Sequence, residues 1–167
     1  MKQLVFLALL LTIVPAMSFA QIGTSFGVGV NAAFPSSDFG DFVATGYGAE
    51  GMVKFGLVPL IDVTGGLEYI KFTSKDLTIA TVTGEGDGSA WGWMIGGRVN
   101  VAPFIYGGLE FGSYTFSTTV FNVDYDVTHG FVAPLVGVSF SPFDVSARYV
   151  AAGNDQSFWG IRGMVWF

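Results

Sequence analysis

The sequence predicts an all-β protein, an eight-stranded antiparallel up-and-down transmembrane β-barrel. Three observations carry the prediction. Apolar and polar residues alternate with period two in segments long enough for a tilted spanning strand, which takes roughly 9 to 11 residues. Connections alternate between short and long, as in barrels with tight turns at one rim and loops at the other. After residue 20 no run of about 18 apolar residues offers a membrane helix, and glycine, 24 of the 167 residues, interrupts every stretch that would otherwise wind, at about 1 kcal/mol each.

Residues 1–20 read as a cleavable signal peptide. Lys2 supplies the charged start, residues 4–14 the apolar core, and Ser18-Phe19-Ala20 a small-x-small cleavage site before Gln21. That apolar run is too short to span a bilayer as a helix. Residues 21–167 are then one barrel domain.

The first strand, 22–34, sets Phe26, Val28, Val30, Ala32 and Phe34 on one face and Ser25, Gly27, Gly29 and Asn31 on the other. The second, 43–56, and the third, 60–72, flank a short turn whose Pro59 locks φ and ends pairing. The fourth, 90–101, opposes Trp91, Trp93, Ile95, Val99 and Val101 to Gly92, Gly96, Arg98 and Asn100. Pro103 marks the next turn, before the fifth strand, 104–116. The sixth, 129–140, contains Pro134, whose missing N–H predicts a bulge or kink. After the Pro142 turn come the seventh, 144–152, and the eighth, 157–167, where Trp159, Ile161, Gly163, Val165 and Phe167 alternate with Gly160, Arg162, Met164 and Trp166. The long connections, 35–42, 73–89 and 117–128, and a shorter one, 153–156, are polar, acidic and Gly-rich. An even strand number puts both ends of the mature domain with the short turns, on the periplasmic side.

Ionisable residues sort by face. Glu50, Lys54, Asp62, Glu68, Arg98, Glu110, Arg148 and Arg162 all fall opposite the apolar stripe, four acids and four bases. The chain's net charge is −6, and −7 once Lys2 leaves with the signal peptide; all of it therefore resides in loops and turns, where Asp38, Asp41, Asp76, Glu85, Asp87, Asp124, Asp126, Asp144 and Asp155 face Lys71 and Lys75. A balanced interior is what a nearly dry lumen requires, since an unpaired buried charge costs several kcal/mol. A turn about Val58 predicts Lys54 opposite Asp62, and a turn about Asn154 and Asp155 predicts Arg148 beside Arg162, with Glu50, Glu68 and Glu110 reaching across an interior just wide enough for side chains to meet. The predicted result is a lumen plugged by a Glu/Arg network. Seven lumen-side glycines, Gly27, Gly46, Gly48, Gly66, Gly96, Gly108 and Gly112, pull the other way, because they leave volume unfilled and favour a narrow channel for small or hydrophobic solutes.

Several classes are disfavoured. Cysteine is absent, so there is no disulfide framework, lipidation cysteine or Cys-based metal site. The acidic balance argues against nucleic acid. His129 is the one histidine and the one candidate for a His general base, with Ser113, Ser117, Asp124 and Asp126 near it in the hairpin; a barrel enzyme that modifies lipid A would need such a group. The residues after it, Gly130 and Phe131, do not give the His-x-Ser pattern of barrel lipases. Asp124 and Asp126, or Glu85 and Asp87, lack the spacing of a calcium loop, so no catalytic residue, metal or cofactor is assigned. Trp91, Trp93, Tyr69, Phe111, Trp159 and Phe167 read as interfacial girdles. An exported soluble barrel of lipocalin type would need this Phe- and Trp-rich face inside, where it would overfill a small barrel.

With the signal peptide, eight strands, alternating connections and a terminal phenylalanine in view, the chain resembles the small bacterial outer-membrane barrels of the OmpA transmembrane-domain and OmpX type. Its last strand is similar to the C-terminal signal that the barrel-assembly machinery reads in that family, with Trp159, Ile161, Val165 and Phe167 as the matching positions. The resemblance implies assembly in the outer membrane, among its lipid and lipopolysaccharide. The role expected is structural or a surface interaction through the acidic loops with an unidentified extracellular partner. A monomer that is not an enzyme is expected.

Overall fold

The computed structural model describes residues 23–36, 43–58, 60–74, 77–79, 82–84, 87–120, 123–153 and 156–167; the predicted signal peptide lies outside them. Among these described residues ten strands occur in chain order: β1 (Thr24–Ser36), β2 (Val43–Val58), β3 (Ile61–Ser74), β4 (Leu77–Ile79), β5 (Val82–Gly84), β6 (Asp87–Ala102), β7 (Ile105–Val120), β8 (Val123–Phe140), β9 (Phe143–Ala152) and β10 (Gln156–Trp166). Eight close an antiparallel barrel in the order β1-β10-β9-β8-β7-β6-β3-β2, while β4 and β5 form a separate two-stranded sheet in the connection after β3. Closure leaves no sheet edge within the wall, which is what lets strands satisfy their backbone in lipid.

The registers fix the geometry. From Phe26 the pairing runs through Val53, Gly65, Ile95, Phe111, Val132, Ala151 and Ser157 back to Ser36, ten residues further along β1. Eight strands with a stagger of ten tilt by roughly 35 to 45° and enclose a space that side chains fill. The outer surface is apolar. Val28, Val30, Ile95, Leu109, Val136, Val145 and Ile161 are exposed there. Towards the loop end an exposed girdle includes Phe34, Trp159, Tyr47, Tyr69 and Trp91, with Phe34 paired to Trp159 and Tyr69 to Trp91. Phe26, Phe55, Phe104, Phe140 and Phe143 ring the turn end. A closed barrel with this exterior is built to sit in lipid.

Inside, glycine and bulk alternate across strands. The lumen-side glycines do not leave space: each lies under the large inward side chain of its cross-strand partner. A Cβ on Gly27 would stand 2.8 Å from the ring of Trp166, one on Gly29 2.7 Å from Met164, on Gly66 2.7 Å from Met52, on Gly96 2.7 Å from Glu110, and on Gly112 2.7 Å from Phe131; in every case the two residues are register partners. The unfilled volume read from these glycines is thus corrected. They are the holes into which a neighbouring strand's knobs fit.

Four local expectations are also corrected. Residues 117–128 are not a loop, because β7 and β8 continue as one regular hairpin to the pair Val120↔Val123; their Ser, Thr and Asp content reads as loop, but the alternation persists. Pro134 leaves the pairing irregular, as expected, but without a bulge. Its side chain is exposed on the outer face, the β7 ladder runs through Leu109↔Pro134, and on the β9 side pairing lapses between Val132 and Leu135 without a change of register. Lys54 is opposite Thr64, with Asp62 opposite Gly56, because the hairpin is centred one residue later than Val58. Arg148 is opposite Gly160 and Arg162 opposite Ser146, since the last turn is centred one residue earlier and uses Gly153 at φ 58°, a left-handed conformation that favours glycine. The predicted like-charge pair is thereby avoided.

Candidate functional site

Side chains pointing into the lumen form three tiers along the barrel axis. The loop-end tier is apolar: Ile70, Phe72, Tyr114, Phe116, Phe131, Val150 and Phe158 are all buried. Tyr114 stacks on Phe131 with centroids 4.7 Å apart and meets Phe158 edge-on at 5.8 Å, and Phe72 meets Phe158 at 6.3 Å. Full burial of each such ring is worth about 1.5 to 3 kcal/mol. The tier also walls off what lies beneath it from the loop side.

The middle tier is ionic. β2, β3 and β7 bring in Glu50, Glu68 and Glu110, with Glu50 and Glu68 directly opposite one another; β9 and β10 supply Arg148 and Arg162. Arg162 donates to Glu110 at 2.7 Å and to Glu50 at 3.3 Å, and Arg148 to Glu68 and, at 3.4 Å, to Glu110. Glu110 is therefore the bridge between the two arginines. Glu68 also accepts hydrogen bonds from the Tyr114 hydroxyl and the Asn31 amide, which lets two facing carboxylates coexist. Spare guanidinium hydrogens rest on sulfur, with Arg162 Nη1 3.5 Å from Met52 Sδ and 3.7 Å from Met94 Sδ. The five ionic side chains are no more than 6% exposed. At this depth a pair contributes little net stability, but removing one partner costs about 3 to 5 kcal/mol.

The turn-end tier holds Arg98, which donates to Asp144 at 3.3 Å; the Tyr106 hydroxyl donates to the other carboxylate oxygen at 2.7 Å. The Arg98 guanidinium lies 4.8 Å from the ring centre of Tyr106 and 5.5 Å from that of Trp166, and Lys54 Nζ lies 4.5 Å over Trp166. Asp62 is half-buried opposite Arg98. The eight ionisable residues predicted on the inner face thus divide between two tiers: Glu50, Glu68, Glu110, Arg148 and Arg162 form one linked cluster, Arg98 pairs separately with Asp144, and among the described residues Lys54 and Asp62 have no ion pair.

Asp144, which the sequence places among the turn charges, belongs inside, 2% exposed. Its signal was present, since it is in phase with Ser146, Arg148 and Val150; the neighbouring proline turn masked it. Tyr106, Tyr114, Asn31 and the lumen methionines carried no charge pattern to draw attention. His129 faces inward opposite Tyr114, against Gly153, whereas Ser113, Ser117 and Asp126 occupy the alternate positions of the hairpin, on its other face; the side chain of Asp124 lies outside what the structure describes. Trp159 and Ile161 are exposed on the outer surface, with Val165 and Phe167 in phase and half-exposed. The acidic Asp38, Asp41, Asp76, Glu85 and Asp155 lie outside the described residues.

No protein-family model matches the chain, and no curated protein does. Solved structures match over 86% of it. They include the attachment invasion locus protein Ail of Yersinia pestis (16% identity, TM-score 0.55, 97% of that chain), also solved with the heparin analogue sucrose octasulfate. The N-terminal β-barrel domain of Pseudomonas aeruginosa OprF matches at 12% identity with a TM-score of 0.58, over 97% of its length. Neisserial surface protein A matches at 14% and 0.57, over 96%. At these identities the likeness is one of fold.

Proposed function

Because the chain has the fold of the small eight-stranded outer-membrane barrels, we propose that it resides in the outer membrane as a monomer and works there through its loop-end surface, structurally or by contact with an extracellular partner, and not as a pore. One observation carries this reading: the lumen is filled from wall to wall by an apolar tier above an ionic one. The loop-end surface is what remains to act. There β7 and β8 extend as a paired hairpin, and β8 is joined to β9 only from Phe131 onward, so among the described residues its stretch from Val123 to Gly130 has one unpaired edge. Exposed Asp126 gives the hairpin's outer face an acidic character.

Bilayer recordings and vesicle-swelling assays on the refolded protein test the closed lumen. No sustained open-pore conductance and no solute-dependent swelling are expected; robust conductance replaces this reading with the narrow channel. Acidic loops also set a sign for the partner. Unlike Ail, this chain is expected to show no saturable binding of sucrose octasulfate at physiological salt, measured by calorimetry. With His129 and the nearby serines on opposite faces of the hairpin, we assign no catalytic role, and His129→Ala should leave the mass profile of lipid A unchanged. Trp159, Ile161, Val165 and Phe167 are proposed as the strand read by the barrel-assembly machinery, and outer-membrane lipid and lipopolysaccharide as the surroundings of the girdles.

A further inference from the structure

At the turn end, on the opposite side of the ionic tier from the proposed interaction surface, lies a cavity of about 710 Å³ rimmed by residues of all three short turns, among them Leu60, Phe104 and Ser141. That volume is in the range of small-molecule pockets. The cavity is blind. Its inner wall is made by Arg98, Tyr106 and Asp144, and the groups of the middle tier beyond it, Glu50, Glu110 and Arg162, are at most 6% exposed.

The charge inventory of the lining is specific. Arg98 and Asp144 pair with one another. Lys54 and Asp62, which also line the cavity, come from adjacent strands two residues out of register. Among the described residues neither has a hydrogen bond or an ion pair, although Lys54 lies in the electrostatic field of Asp62, Arg98 and Asp144. Lys54 Nζ lies over the Trp166 ring at 4.5 Å, a cation–π contact that positions the ammonium and leaves its hydrogens turned away from the ring to give. Asp62 keeps its carboxylate lone pairs. Arg98, 2% exposed, has an Nε–H without an acceptor. Asn100 and Ser139 add neutral hydrogen-bonding groups to the lining. A polyanion would meet Asp62 and Asp144, and a polycation Lys54 and Arg98. A solute carrying one anion and one cation satisfies both unpaired groups at once, and charge-assisted hydrogen bonds of this kind are about twice as strong as neutral ones.

We propose that the turn-end cavity is a binding site for small zwitterions, taking the carboxylate on Lys54 and the ammonium on Asp62. The cavity opens along the barrel axis between the turns, so its ligand is a dissolved molecule and not a lipid in the surrounding bilayer. Binding here is independent of whatever the loop end contacts.

Amide chemical-shift titrations of the refolded barrel in a non-ionic detergent test the site, with glycine, γ-aminobutyrate and 6-aminohexanoate as probes of increasing charge separation, and acetate and methylammonium as half-ligands. Saturable shifts are expected at residues 54, 62, 98 and 144 for at least one zwitterion, with each half-ligand roughly tenfold or more weaker. Lys54→Met and Asp62→Asn should each weaken that zwitterion by a similar factor, with folding verified by the heat-dependent gel mobility of the barrel. Absence of saturable shifts with all three zwitterions, or equal binding of acetate alone, overturns the proposal on the unmodified protein. Unchanged affinity in both folded variants overturns it as well.

Discussion

Glu110 touches both buried arginines and has no solvent to fall back on, so its replacement separates net pair strength from the cost of orphaning charge. Glu110→Gln leaves Arg162 with only Glu50 and weakens the contact to Arg148. It should destabilise by about 3 to 5 kcal/mol, read as a lower urea midpoint for the barrel in lipid vesicles at unchanged slope. Gly112→Leu acts by volume instead, because its new side chain meets Phe131 at once; overpacking of that kind costs about 1 to 3 kcal/mol or more. The face of each of these residues was legible from alternation alone. Their partners were not, because a turn centred one residue away moves every cross-strand neighbour by two, as happened to Arg148 and Arg162. The glycine pattern failed for a related reason: a missing side chain looks like empty space until the register shows what lies over it.

Strands were the most legible elements, since lipid outside and a packed lumen inside impose opposite chemistries on successive residues. Where the strand leaves the membrane that contrast fades. The upper β7–β8 hairpin alternates only between Thr, Ser, Asp and a few apolar residues, and it reads as loop although its pairing is regular. The same contrast gives a test of which face meets lipid. Val28 and Ile95 are exposed on the outer surface, 59% and 53%, at mid-height between the two aromatic girdles. An arginine at either should cost about 2 to 4 kcal/mol in a bilayer, measured by reversible unfolding from vesicles, whereas Thr128→Arg, exposed on the protruding hairpin, should change stability by less than about 0.5 kcal/mol. Equal effects at all three sites would place the membrane elsewhere on the barrel.

As a whole molecule the proposed seal is double, by unlike means: an apolar tier of buried rings, and an ionic tier that fills the centre with paired charge. A path through the lumen requires both to be breached. Phe158→Ala hollows the loop-end tier, where Phe158 is in ring contact with Phe72 and Tyr114, yet Arg148, Glu68 and Glu110 still block the axis beneath it. Replacing Glu68 and Arg148 together by alanine opens the ionic tier without changing its net charge, but leaves the rings above. Neither change alone should raise conductance over the wild-type baseline in planar bilayers. Combined in one protein they remove large side chains from both levels, Phe158 and Arg148 from neighbouring strands and Glu68 from the wall opposite, and ion-permeable openings are expected. The two effects should therefore be strongly non-additive, as for groups that share one cavity. A pore in either parent variant would mean that one tier alone seals the barrel; continued silence in the combined variant would mean that the turn-end tier of Arg98, Asp144, Tyr106 and Trp166 is a third and sufficient seal.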